Sequence, residues 1–82
     1  MDIDIRLYRR YLQEIVQEAF DNSDRTKAGM ANYLTEKKLP RRFTMHRREK
    51  SQALVDACKA FDEHRHWPLE IILSHLGVEV KQ

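Results

Sequence analysis

Lys37, Lys38, Arg41, Arg42, Arg47, Arg48 and Lys50 are seven of the chain's fifteen Lys and Arg residues, and Glu49 is the one acid within residues 37–50. Positive charge this dense suits one kind of chemistry. It neutralises phosphates, releasing their condensed counterions and donating hydrogen bonds to their oxygens. Outside the cluster the chain is close to balanced or slightly acidic, with eight cations against twelve acids. The charge is therefore a local patch, which the net charge of +2 and the pI of 8.9 understate. The same patch has two other readings: docking on an acidic protein surface, or a solvated face without a partner.

No second constellation carries comparable weight. His46, His64, His66 and His75 with Cys58 suggest zinc, but zinc ligands come in close pairs such as Cys-x-x-Cys or His-x3-His. Here Cys58 and His64 are six residues apart, and Cys58 falls on an apolar stripe that predicts a small core residue. No metal site and no cofactor are expected. A Cys/His nucleophile needs an exposed thiol, which the same periodicity buries. Asp62 and Glu63 are neighbours that diverge on a helix, and Gly29 and Gly77 are isolated. Neither paired-carboxylate chemistry nor a glycine loop around a phosphate is expected, and the chain reads as a non-enzyme with no catalytic residue. Tyr8, Tyr11, Tyr33 and Trp67 have the chemistry to stack bases. Aromatics at helical spacing usually belong to a core, and Trp67, beside Pro68, is expected to plug the end of the fold. Tyr33 is the one at the margin of its stripe.

The elements that position these residues follow from composition and period. At 82 residues the chain is one domain, burying roughly 60% of its unfolded surface. With 41% hydrophobic residues it has enough apolar material to fold, and four Gly and Pro in total point to helices with short connections. A single cysteine excludes an internal disulfide, and the start Met-Asp-Ile-Asp-Ile-Arg lacks the basic and apolar runs of an export signal. No stretch approaches the ~18 apolar residues of a membrane span. A cytoplasmic protein without membrane contact is the expectation.

Tyr8, Tyr11, Leu12, Ile15, Val16, Ala19 and Phe20 recur at helical steps, with Ile5 extending the stripe, and predict a first helix over about residues 4–21. Asp21, Asn22, Ser23 and Asp24 break it, and Ser23 or Asp24 is expected to cap a second helix over 24–38. Its buried face is Ala28, Ala31 and Leu34, widened by Met30 and Tyr33, with Gly29 allowing a neighbouring helix to approach. Pro40 closes it, with Leu39 and Phe43 as apolar pegs. Thr44 is the expected cap of a third helix over 45–63, packed through Leu54, Ala57, Cys58 and Phe61 with Ala53 and Ala60 beside them. Pro68 begins a fourth, short helix over 68–76, with Leu69, Ile72, Leu73 and Leu76 inward and Gly77 as its C-cap. Val78 and Val80 alternate with charged residues in a tail that is either extended or frayed.

These elements predict an all-α bundle of about four helices with the basic residues at one corner. Lys37 and Lys38 suit the negative end of their helix dipole. Arg47, Arg48 and Lys50 sit at a positive end, where each is unfavourable by ~0.3–1 kcal/mol at low salt. Residues placed against local stability are the better candidates for function. A standard helix-turn-helix does not fit, because the tight break at 21–24 is wholly polar and the connection at 39–44 is too long. A looser variant, with Thr44 to Lys50 leading into a groove, is compatible. The expected function is DNA binding, in a regulatory or sequence-tolerant role, through Lys37, Lys38, Arg41, Arg42, Arg47, Arg48 and Lys50. The alternative is a protein–protein adaptor or inhibitor docking through the same corner. A domain this small also has reason to complete its core as a homodimer.

Overall fold

A computed structural model describes residues 2–38 and 45–81. Among them the chain forms four helices, α1 (Ile5–Asn22), α2 (Lys27–Glu36), α3 (Arg47–Glu63) and α4 (Leu69–Leu76). Arg41 and Arg42, with Leu39, Pro40, Phe43 and Thr44, lie outside the described residues. α1 packs on both α2 and α3, these two pack on each other, and α4 closes the far end of α3.

α1 starts where Asp4 caps it, the carboxylate accepting the Arg6 and Leu7 amides at 2.9 and 3.3 Å. Its stripe is the expected one: Leu12, Ile15, Val16, Ala19 and Phe20 are buried, and Tyr8 and Tyr11 pack at the edge. Ile5 is not part of that core. It stands on the first turn and is 59% exposed.

α2 begins three residues later than the polar break implies. Arg25 takes a left-handed backbone (φ 62°), which interrupts any helix started at Asp24. Thr26 is the cap, accepting the Gly29 amide at 3.0 Å. Ser23 and Asp24 instead hold the turn, accepting the Arg25 and Thr26 amides. A Cβ on Gly29 would lie 2.2 Å from Asp24 Oδ1. This glycine therefore makes room for the capping side chains and not for a neighbouring helix. The buried face is Met30 and Leu34, one helical turn apart, with Ala31 and Tyr33 at its edge and Ala28 exposed.

α3 buries Ala53, Ala57, Ala60 and Phe61, with Leu54 half-buried beside them. Cys58 is half-buried as well, and its thiol donates to the Leu34 carbonyl at 3.2 Å. Burial pushes that thiol above its usual range, with a backbone hydrogen bond opposing. Small residues on this face bring α3 close to its neighbours. The turn after α3 is held by Lys27, whose ammonium donates to the Arg65 and Trp67 carbonyls. Trp67 stacks on His64 at 3.8 Å and remains 36% exposed, so it covers the end of the bundle without plugging it.

Pro68 occupies the cap position of α4, one residue before the helix proper. Gly77 ends it at φ 73°, with the Val78 amide on the Leu73 carbonyl (2.9 Å) and the Gly77 amide on Ser74 (3.0 Å). This is the paired bonding of a left-handed C-cap. Beyond it the tail is extended and packed: Val78 is buried and Val80 rests on the core.

Candidate nucleic-acid interface

α3 carries its charge unevenly. Arg47, Arg48 and Lys50 occupy its first turns, against Glu49 alone, while Asp56, Asp62 and Glu63 fall in its later half. The helix begins two residues after the expected Met45, because His46 adopts a left-handed backbone (φ 58°, ψ 37°). His46 supplies no capping side chain there. Met45 consequently stands outside the helix, 66% exposed.

The seven expected contact residues divide into groups. Arg47 and Arg48 line a shallow, open groove together with Ile3, Ser51, Gln52 and Val55. Lys50 leans the other way, its ammonium 5.0 Å from the centre of the Tyr11 ring, where the ring's quadrupole attracts it. His46 approaches the same ring at 6.0 Å. Lys38 is exposed beyond the end of α2. Lys37 is drawn to Glu18 on α1 at 2.5 Å, and Tyr33 donates to the same carboxylate oxygen at 2.8 Å. That pairing, with the Lys37 hydrogen bond first among its causes, holds Glu18 below the usual carboxylate range. Lys37 therefore joins α1 to α2, and Tyr33 is committed to the same contact. Arg41 and Arg42 lie outside the described residues.

Arg10 pairs with Glu14 at 3.4 Å, and Arg9 lines a cleft beside Ser74, His75 and Gly77 at the end of α4.

The groove contains residues that charge alone does not reveal. Arg48, Ser51, Gln52 and Val55 follow the i, i+3, i+4, i+7 pattern of one helix face. That face is opposite the alanine stripe. Gln52 is fixed by Asp56, which accepts its Nε2 at 2.8 Å and the Tyr8 hydroxyl at 2.5 Å. Burial, followed by the hydrogen bond to Asp56 and its charge, pushes the Tyr8 phenol up to about 12. It stays a donor at every ordinary pH. The spacing was legible in the sequence as an outward stripe, but the Tyr8–Asp56–Gln52 chain joins two helices and was not.

His64 and His75 meet at the other end of the bundle. His75 meets His64 and Trp67 edge-on, at 4.9 and 5.6 Å. Among the described residues no three of His, Cys, Asp and Glu stand together as a metal site requires. No described helix is long and apolar enough to cross a membrane. Comparison with family models, with curated proteins and with solved structures returns no match for this chain.

Proposed function

We propose that the chain binds double-stranded DNA through the N-terminal half of α3, in a binding and regulatory role without catalysis. The observation that supports this is the groove lined by Arg47 and Arg48 on an exposed helix face that also carries Ser51 and Gln52. Cations at the entry of a helix suit phosphate contacts, and the polar side chains behind them suit base edges. Glu49 is the one acid on the first turns of α3, whereas Asp56, Asp62 and Glu63 outnumber Lys59 in its later half, so a polyanion is favoured at the first turns. Lys50 and Lys38 add to the field. Arg41 and Arg42 fall between Lys38 and Arg47 in the sequence.

The test is fluorescence anisotropy of a labelled mixed-sequence duplex at two salt concentrations. Binding should weaken steeply as salt rises. Removing a phosphate contact, as in Arg47→Ala, should lower the salt slope by ~1. Absence of binding at low salt would sink this reading. The rival, a protein-docking surface, is favoured by one observation: Val55 is 57% exposed in the groove that Ile3 also lines. A saturable protein complex that is indifferent to competitor DNA would establish it instead.

A further inference from the structure

We infer that α3 reads sequence in the DNA major groove, with Arg48, Gln52 and Val55 as its specificity determinants and Tyr8–Asp56 as the pair that positions Gln52. The inference rests on the proposed DNA-binding role and deepens it. A phosphate clamp needs cations alone. Arg48, Ser51, Gln52 and Val55 form one outward stripe whose chemistry matches base edges instead. A guanidinium reaches the two acceptors of guanine, a carboxamide pairs with the donor and acceptor of adenine, and an aliphatic side chain meets the thymine methyl. Val55, a large apolar residue 57% exposed on that face, has a place in that scheme.

The length of the stripe fits as well. Seven residues of helix rise about 10.5 Å, the span of about three base-pair steps at ~3.4 Å each. The polarity of α3 sets how it enters. Its basic first turns go in, and Asp62 and Glu63 stay away from the phosphates.

Gln52 is the residue that the geometry singles out. A carboxylate only accepts hydrogen bonds, so Asp56 must face the amide NH2 of Gln52 and not its carbonyl. One N–H and the carbonyl oxygen are left outward, which is the donor–acceptor pair adenine requires. Asp56 is held in turn by the Tyr8 hydroxyl from α1. The reader is thus pre-oriented before DNA arrives, and less ordering entropy is lost on binding.

The experiment is selection of duplexes from a randomised library by the full chain, followed by titration of the enriched sequence and of an unrelated duplex. A core of about three or four base pairs containing a G·C pair beside A·T pairs is expected. Gln52→Ala should lose about 5- to 150-fold of discrimination at one A·T position. Its salt-dependent binding to the unrelated duplex should be unchanged. Val55→Ala should relax a second A·T position. Tyr8→Phe should weaken the preference at the Gln52 position alone, which a merely structural role for Tyr8 would not do. Circular dichroism checks that each variant keeps its helicity. Salt-dependent binding with no enriched core would overturn this inference and leave the DNA-binding role standing, as would a core unaffected by Gln52→Ala. No binding to any duplex, or a preference for single-stranded RNA or a protein surface, would overturn both.

Discussion

Gln13 and Glu79, sixty-six residues apart, bond each other twice: the glutamine carbonyl accepts the Glu79 amide at 3.1 Å and its NH2 donates to the Glu79 carbonyl. Gln17 and Lys81 repeat the arrangement, at 2.7 Å and 3.0 Å. Each side-chain amide thus acts as a neighbouring strand would. The match is metric. Four residues of helix rise about 6.0 Å, and two residues of extended chain advance about 6.6 Å. Two glutamines one turn apart therefore meet alternate residues of a tail running parallel to α1, and Val78 is held down on the core.

Removing both amides should release this tail. Gln13→Ala/Gln17→Ala is expected to lower stability by about 1–2 kcal/mol, allowing for the modest net worth of exposed hydrogen bonds. Hydrogen exchange is the sharper readout: the Glu79 and Lys81 amides should lose protection while those in α1 keep theirs.

The Asp24–Thr26–Gly29 cap predicts a non-additive pair. Alanine normally favours a helix over glycine by about 1 kcal/mol. At position 29 its Cβ would meet Asp24 Oδ1 at 2.2 Å and Thr26 Oγ1 at 3.0 Å. Gly29→Ala should therefore yield little or no stabilisation by itself, and part of the gain should return in the Asp24→Ala background, where Thr26 Oγ1 is still close. A double-mutant cycle by urea denaturation measures the coupling.

Gly77→Ala isolates backbone strain from packing. No heavy atom lies within 4 Å of the Cβ it would add, yet φ is +73°. The cost should be about 1 kcal/mol, from the left-handed conformation alone. A thermal melt detects it.

Glu18 predicts a pH dependence. Its folded pKa lies below the unfolded value of 4.5, chiefly through the Lys37 hydrogen bond, with Tyr33 adding to the effect and burial opposing it. The stabilisation is thus present above that pH and is lost as pH falls through the folded value. Because Glu18 is partly exposed to solvent, the contribution should be at most about 1 kcal/mol. Glu18→Gln should be less stable than the parent at pH 7 and should converge with it in acid.

Tyr8 gives the opposite limb. Its phenol is raised from 10.0 to about 12, so the stability it contributes is complete below pH 10 and is lost as pH climbs toward 12. Tyr8→Phe should flatten the alkaline fall in stability over that window.

Periodicity carried the helices. Leu12 to Phe20, Ala53 to Phe61 and Leu69 to Leu76 each repeat at helical steps, and burying such a stripe is what stabilises a short helix. Gly77 was legible for a local reason, since a left-handed cap favours glycine wherever it occurs. The basic cluster was equally plain, being a matter of residue type and position. Boundaries were less legible. The left-handed Arg25 and His46 moved two helix starts, because several polar residues in a row compete to cap and backbone geometry decides among them.

Residue types and their local order determined by themselves the all-α fold, its stripes and the charge of one segment. The tertiary structure decided what each cation faces: Lys37 turns to Glu18, Lys50 to Tyr11, and Arg48 to the groove with Gln52 and Val55. It also decided that the tail is clamped and that Asp56 orients Gln52. The physical reason is range. Helix propensity and capping act within about four residues, whereas a hydrogen bond or ion pair between residues dozens apart exists only once packing has brought their helices together.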